Sequence, residues 1–196
     1  MELQAIHSNI ASYRENMAAD MMEMSRIPAV NPRMGGTGEY QRMQWIISWL
    51  KKRDIIPDIY EVPDDAVIEK KRLNLVVNFP GTETTEHSLW FISHVDTVNT
   101  GDLSLWKTDP LKPVRKDGRI YGLGVEDNSQ AVITSLYTCA ILKETGMRAK
   151  CNLRFLFASD EETGSQYGMK AILQTGLFSA EDEAIVPDGG SPDGSF

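Results

Sequence analysis

Residues 153–164 of the sequence read LRFLFASDEETG. The first six are apolar apart from Arg154, and such a run, bounded by turn-forming residues, is typical of a buried β-strand. The run leads into Ser159 and three adjacent acidic residues, and a helical pattern follows over 165–174, closed by Gly176. A strand, a polar turn and a helix in this order form the repeating unit of α/β proteins, so this stretch indicates the fold class.

The rest of the chain continues this alternation. Apolar residues at three- and four-residue spacing predict helices, and short apolar runs between turn residues predict strands. The predicted helices cover residues 1–26, 39–53, 129–145 and 165–174, and the predicted strands cover 55–62, 73–79, 89–93, 152–159 and 183–187, with a hairpin over 112–121. We therefore predict one α/β domain of three layers, with a mixed, mostly parallel sheet and helices on both faces. The methionine-rich stripes of the first two helices are interpreted as core packing.

The composition excludes several classes of protein. The 196 residues carry 20 basic and 28 acidic side chains, a net charge of −8, and they contain no basic stripe that would bind nucleic acid. No apolar run approaches the roughly 20 residues that span a bilayer, and the first residues lack the pattern of a signal peptide. Two cysteines are too few for a disulfide framework. We therefore expect a cytoplasmic protein without nucleic-acid or membrane partners.

Histidine and acidic side chains follow the predicted strands and turns at the points where these end. Because the carboxyl ends of strands collect ligand-binding residues at one edge of an α/β sheet, we expect these side chains to lie together. In the segment SHVD, the histidine and the aspartate are two residues apart and so point the same way, which suits a carboxylate that orients a metal-binding imidazole. The candidate residues are His94, Asp96, Asp127, Glu161, Glu162 and Asp188.

A nitrogen ligand among carboxylates suits zinc, manganese or cobalt, and a shared carboxylate can hold two such ions. A carboxylate that binds neither ion is available as a general base. Each position also has a simpler interpretation: a structural role for His94, a helix N-cap for Asp127, a solvated acidic turn at 160–162 and an Asp-Gly turn at Asp188. Dinucleotide binding at the Gly-x-Gly of residues 122–124 is disfavoured, because the third glycine of that motif is missing.

Four motifs together resemble one known family. SHVD (93–96), YGLGVEDN (121–128), FASDEETGS (157–165) and VPDGG (186–190) occur in this order, with 31 residues from Asp96 to Asp127, 34 from Asp127 to Glu161 and 26 from Glu162 to Asp188. The pattern is similar to that of the dinuclear zinc amidohydrolases, the family of acetylornithine deacetylase, succinyl-diaminopimelate desuccinylase, aminoacylase, carnosinase and carboxypeptidase G. The resemblance implies two divalent metal ions, zinc first and cobalt or manganese as alternatives, and an N-acyl amino acid or small peptide as the substrate.

The resemblance also implies a role for each candidate residue. His94 and Asp188 ligate one ion, Glu162 ligates the other, and Asp127 bridges both. Asp96 orients the imidazole. Glu161 acts as the general base and acid, taking a proton from the bridging water and returning it to the leaving amine. The spacing of the residues alone does not distinguish the role of Glu161 from that of Glu162.

The sequence departs from the family pattern in two places. The family has a further histidine ligand downstream of an inserted smaller domain that dimerises and covers the site, and neither His7 nor His87 fits that position. We therefore expect residues 1–196 to be the amino-terminal part of a zinc-binding catalytic domain, with little turnover alone, from a longer protein that is a homodimer. After Asp127 the chain continues Asn128-Ser129-Gln130, where many members carry a lysine, and this leaves the substrate open. Two alternatives are a non-catalytic ligand-binding module on the same fold and an acidic scaffold or nucleotide-binding protein.

Overall fold

A computed structural model describes residues 10–83 and 87–189. Seven strands occur in the described chain: β1 (Asp58–Pro63), β2 (Lys71–Phe79), β3 (Ser88–His94), β4 (Val114–Lys116), β5 (Arg119–Tyr121), β6 (Asn152–Ala158) and β7 (Glu183–Ile185). Five of them form one sheet in the order β1-β2-β6-β3-β7, and β4 and β5 form the predicted hairpin. In the sheet, β1–β2 and β2–β6 are antiparallel, whereas β6–β3 and β3–β7 are parallel. The predicted mixed sheet is confirmed, with two of its four pairings parallel.

Within residues 10–83 and 87–189, four α-helices accompany the strands: α1 (Arg14–Ser25), α2 (Tyr40–Lys51), α3 (Gln130–Thr145) and α4 (Met169–Leu173). Single helical turns lie at Pro32–Met34, Leu103–Leu105 and Glu161–Thr163, and a kinked turn, Val125–Ser129, precedes α3. The predicted helices are confirmed within the described residues, and the first nine residues of the predicted 1–26 helix lie outside them. Helix α4 is shorter than predicted, because two residues at its start have non-helical backbone angles. Ser165 has a positive φ of 56°, and Gly168, directly before the helix, has φ −101° and ψ −114°.

The two faces of the sheet carry separate apolar clusters. Alternate residues of β6 divide between them, so that Phe155 and Phe157 pack with α1–α3, whereas Leu156 packs on the opposite face with Trp90 of β3 and Ile172 of α4. This alternation has the period of two that a strand imposes. Helices therefore cover both faces, and the predicted three-layer α/β fold is confirmed.

The methionine stripes belong to the larger cluster. Met24 of α1 and Met43 of α2 are fully buried there, and Met17 and Met21 pack partly buried against it. This agrees with the prediction that the stripes are core packing. Among the described residues, none of the helices combines the length and the apolar character needed to cross a membrane.

The parallel part of the sheet positions the polar side chains. Strands β3, β6 and β7 run in the same direction, so their carboxyl ends lie at one edge. His94 is the last residue of β3, Ser159 directly follows β6, and Asp188 lies three residues after β7. A crevice at this edge is where α/β folds bind ligands.

Candidate metal centre

His94 lies at the middle of this edge, with only 4% of its side chain exposed. Its Nε2 atom is 2.8 Å from Oδ1 of Asp127, 3.7 Å from Oδ1 of Asp188 and 3.9 Å from Oε2 of Glu161. On the opposite side of the ring, Nδ1 lies 3.1 Å from the carbonyl oxygen of Asp96 and 3.5 Å from its Oδ1. Because both neighbours of Nδ1 are acceptors, this nitrogen carries a hydrogen and donates a hydrogen bond. Nε2 is the nitrogen that faces the carboxylates of Asp127, Glu161 and Asp188.

Asp127 is presented by the kinked turn before α3. Asp127 and Asn128 have non-helical backbone angles, and the peptide bond between them is cis. The cap position of α3 is Ser129, so the alternative interpretation of Asp127 as the N-cap of this helix is wrong. Gly124 shapes the start of the turn: its φ is +67°, and a Cβ there would lie 2.4 Å from Cγ2 of Thr97. The glycines of the Gly-x-Gly segment thus serve the turn that carries Asp127.

The acidic turn after β6 separates its three carboxylates. Asp160, with a φ of 58°, turns its side chain into the protein, where it is fully buried. Its carboxylate accepts hydrogen bonds from the Asn31 amide, the Thr163 hydroxyl and the Tyr167 backbone N–H. The solvated-turn interpretation is therefore wrong for Asp160, whose charge is compensated by hydrogen bonds rather than by water.

Glu161 and Glu162 are held by the buried carboxylate of Asp96. The backbone N–H of Glu161 donates to Oδ1 of Asp96 at 2.9 Å, and that of Glu162 donates to Oδ2 at 3.3 Å. Asp96 therefore links the imidazole of His94 to the turn that carries both glutamates. The structure brings Glu161 close to His94, and it places Glu162 beside it on the same turn.

Asp188 is positioned by a buried asparagine. The Nδ2 group of Asn128 donates to Oδ1 of Asp188 at 2.9 Å and to the carbonyl oxygen of Pro187 at 3.1 Å. Its Oδ1 accepts the backbone N–H of His94 at 3.3 Å. Asn128 thus ties the end of β3 to the segment after β7.

The site concentrates negative charge around one imidazole. Burial alone would lower the pKa of His94, but the carboxylates of Asp96 and its neighbours raise it to about 9. Burial is the main reason that the pKa values of Glu161 and Glu162 lie above their ordinary range, and the nearby carboxylates act in the same direction. Burial would also raise the pKa of Asp96, yet hydrogen bonds from His94 and Asn31 lower it. The edge therefore attracts positive charge.

Ligand atoms of three predicted metal residues converge. One atom each from His94, Asp127 and Asp188 lie within 4.8 Å of one another. A cleft of about 230 Å³ opens beside them and is lined by His94, Asn128, Glu161 and Asp188 together with apolar residues. Imidazole nitrogen with carboxylate oxygens is a donor set that suits zinc, so the residues fit a bound divalent cation. The structural and Asp-Gly-turn interpretations of His94 and Asp188 do not explain this convergence.

Two residues that are fully buried beneath the site, Asn31 and Asp160, are not among the candidate residues predicted from the sequence. Asp160 stands beside the two predicted glutamates, but nothing in the sequence shows that it faces inward. Asn31 lies in the proline- and glycine-rich segment PAVNPRMGGTG (28–38), where no spacing pattern relates it to the later motifs. The position of Asn31 beneath the site is seen only from the hydrogen bonds between this loop and the segment after β3.

The sequence profile of the peptidase family M20/M25/M40 matches residues 90–196, more than half of the chain. The chain belongs to this family. An uncharacterized metallohydrolase of Methanocaldococcus jannaschii is 38% identical over 185 residues, which cover 89% of this chain and 44% of that protein. Succinyl-diaminopimelate desuccinylase of Rickettsia canadensis is 38% identical over 88 residues, 44% of this chain and 23% of the enzyme.

The fold of the M20 family chain is also found in solved structures. Human carnosine dipeptidase 1 superimposes with a TM-score of 0.78 at 18% identity, covering 96% of this chain and 41% of that protein. The resemblance predicted from the four motifs is confirmed by the family profile and by these relatives. The chain spans less than half the length of these relatives.

Proposed function

We propose that this chain forms the metal-binding part of a hydrolase that cleaves an amide bond in an N-acyl amino acid or a small peptide. The observation that carries the proposal is the convergence of His94, Asp127 and Asp188, with Glu161 beside them, at the carboxyl edge of the sheet. Family membership and the likeness to a desuccinylase and a dipeptidase support amide hydrolysis.

The proposed cofactor is a pair of divalent ions, zinc first and cobalt or manganese as alternatives. His94 and Asp188 would hold one ion, Glu162 the other, and Asp127 would be shared between them. When bound, such ions polarise a carbonyl group and lower the pKa of water. The negative charge of the edge, with several carboxylates around one imidazole, favours a total charge of about +4 from two ions.

Glu161 is proposed to move the proton. Its side chain is 47% exposed toward the cleft, and burial of the remainder raises its pKa, which strengthens it as a base. It would take a proton from the attacking water as the new C–O bond forms. It would return that proton to the amine nitrogen as the C–N bond breaks. The leaving group then departs as a neutral amine, and the acyl product as a carboxylic acid.

Asp96 is proposed to fix the orientation of the His94 ring and the position of the Glu161–Glu162 turn. With its carbonyl oxygen and its carboxylate both near Nδ1 of His94, it fixes the orientation of the ring, and it accepts the N–H groups of Glu161 and Glu162 at the same time. Asp96 would thereby fix the positions of the base and the histidine relative to each other.

The test uses the complete natural protein, loaded with zinc, against N-acetyl- and N-succinyl-amino acids and dipeptides. Release of free amine that stops on chelation and returns on adding zinc is the expected result. Binding of substrate analogues without any hydrolysis would favour the ligand-binding alternative, and hydrolysis unaffected by complete metal removal would contradict the proposed chemistry.

A further inference from the structure

The loop between α1 and α2 lies against the end of β3. The backbone N–H of Asn31 donates to the carbonyl oxygen of Thr97 at 3.0 Å, and the N–H of Thr97 donates to Ala29 at 2.9 Å. These bonds join a segment near the start of the described chain to the residue after Asp96. The loop is therefore anchored directly beneath the candidate metal centre.

The side chain of Asn31 contacts two buried carboxylates. Its Nδ2 donates to Oδ2 of Asp96 and to Oδ1 of Asp160, both at 3.0 Å. Its Oδ1 accepts the backbone N–H of Arg33 at 3.1 Å. Asn31, Asp96 and Asp160 are all completely buried. Both amide hydrogens and the amide oxygen are thus used, and the side chain has a single favourable orientation.

A primary amide is suited to this position for an electrostatic reason. Two buried carboxylates on neighbouring strand ends repel each other unless donors stand between them. The amide of Asn31 supplies one hydrogen to each carboxylate and adds no charge of its own. An aspartate of the same shape would add a third carboxylate. An alanine would remove one donor from each carboxylate, so that Oδ2 of Asp96 would keep the N–H of Glu162 and Oδ1 of Asp160 would keep the hydroxyl of Thr163.

The same loop holds the far end of the acidic turn. Nη1 of Arg33 donates to the carbonyl oxygen of Thr163 at 3.0 Å, one residue beyond Glu162. Asn31 holds the beginning of the turn through Asp160, and Arg33 holds its end. The loop consequently fixes the whole Glu161–Thr163 turn relative to β3.

We propose that Asn31 is a positioning residue of the metal centre, an inference that rests on the proposed function. It orients the carboxylate of Asp96 against the ring of His94, and it sets the position of Glu161 and Glu162 against β3. The side chain of Asn31 contacts Asp96, Asp160 and the backbone of Arg33, so it would act on the metal centre through the two carboxylates.

The experiment compares Asn31→Ala and Asn31→Ser with Asn74→Ala in the complete natural protein. Asn74 is a matched control, because it is also completely buried at this edge of the sheet, but its amide contacts only the backbone of Tyr167 and Ser159. Zinc dissociation constants are measured by competition with a chelator, alongside melting temperature. Where the alanine variant fails to fold, the serine variant, which keeps one donor, is decisive.

We expect Asn31→Ala to weaken zinc binding by about 10–100-fold, with Asn31→Ser intermediate, as is typical when a group that orients metal ligands is removed. Asn74→Ala should lower the melting temperature but leave the zinc dissociation constant unchanged. Unchanged zinc binding in the Asn31 variants, or an equal loss in Asn74→Ala, would overturn the inference while leaving the proposed function intact. Failure of the wild-type protein to bind zinc would overturn both.

Discussion

The candidate metal centre has two halves that are built differently. The inner half consists of His94, Asp96 and the Glu161–Glu162 turn, and its supporting carboxylates, Asp96 and Asp160, are fully buried. The outer half consists of Asp127 and Asp188, whose side chains are 59% and 32% exposed. The inner half is held by hydrogen bonds between several elements, whereas the outer half depends on a kinked turn and a three-residue edge strand.

The inner half is therefore suited to holding side chains in a fixed orientation, and the outer half to meeting cations from solvent. Groups that set the orientation of the histidine and of the base gain from a dry, fully bonded environment, because their geometry cannot drift. Groups that meet an incoming cation from solvent must remain partly exposed. We therefore predict that changes in the inner half alter catalysis and folding as well as metal affinity, whereas changes in the outer half alter mainly metal affinity.

The largest effect on activity is expected at Glu161. Replacing it with glutamine removes the proposed base but keeps the hydrogen bond from its backbone to Asp96. We expect the turnover rate to fall by about 10²–10⁴-fold while zinc content stays unchanged. The measurement is amine release together with elemental analysis of the same sample. The control is Glu126→Gln, at an exposed glutamate that precedes Asp127 in the chain and has no proposed role in the reaction. Equal losses of turnover in both variants would argue against the role of Glu161.

The largest effect on stability is expected at Arg72, a buried residue of β2 whose positive charge interacts with Asp160 beneath the inner half. Its guanidinium pairs with Glu39 at 2.9 Å and Asp64 at 2.8 Å, and all three side chains are at most 2% exposed. Arg72→Met would leave two buried carboxylates unpaired, at an expected cost of about 3–5 kcal/mol in the free energy of unfolding. Denaturant titration measures this.

The adjacent Lys71 provides the matched control. It pairs with Glu61 at 2.6 Å, but the two side chains are 36% and 54% exposed. Lys71→Met should lower the free energy of unfolding far less than Arg72→Met, because solvent screens an exposed pair. Similar losses in the two variants would mean that burial does not set the strength of these pairs.

A smaller effect is expected at Asn128, which supports the outer half. Asn128→Ala removes the donor to Asp188 and Pro187, so we expect zinc binding to weaken by about 10–100-fold. Isothermal titration of the metal-free protein with zinc gives the dissociation constant. A variant that binds zinc as tightly as the wild type would show that Asp188 needs no support from this side chain.

The smallest effect is expected at Asp182, just before β7. Its carboxylate accepts from the backbone N–H of Ser88 and from Nε1 of Trp90, both at 2.8 Å. Burial would raise the pKa of Asp182, but these donors lower it below the ordinary value of 3.8. Asp182→Asn should cost about 1–2 kcal/mol at neutral pH.

The pH dependence of this effect has a definite sign. Because the pKa in the folded state is depressed, the stabilisation is complete above the ordinary pKa of 3.8 and is lost as the pH falls through the lower folded-state value. The difference in unfolding free energy between wild type and Asp182→Asn should therefore shrink on acidification. A difference that grew at low pH would contradict this assignment.

Much of the fold was predictable because it rests on local periodicity. The α3 pattern and its closing Gly146, with a φ of 66°, agree with the sequence, and so do β2, β3 and β6. The length of helix α4 was overestimated. The positive φ at Ser165 belongs to the turn in which its backbone N–H donates to the carbonyl oxygen of Asp160, and hydrophobic spacing does not reveal such a turn. The share of parallel pairings also depends on strand order, which no local pattern specifies.

The candidate site also contains some residues that the sequence predicts and others that it does not. His94, Asp127 and Asp188 were predictable because strands and turns with recognisable patterns end at each of them. The inward orientation of Asp160 and the role of the Asn31 loop depend on packing between segments that are 129 residues apart. Such contacts have no signature in a single sequence, so the supporting groups emerged only from the structure.

The number of zinc ions bound per chain in the complete protein tests the proposed metal centre most directly. The protein is loaded with zinc, desalted and analysed for its elements, with Asp127→Ala measured in parallel. We expect about two zinc ions per chain in the wild type and far fewer in the variant, because Asp127 is the proposed shared ligand. Near-zero zinc in the wild type, or the same zinc content in the variant, would contradict a metal centre at this edge of the sheet.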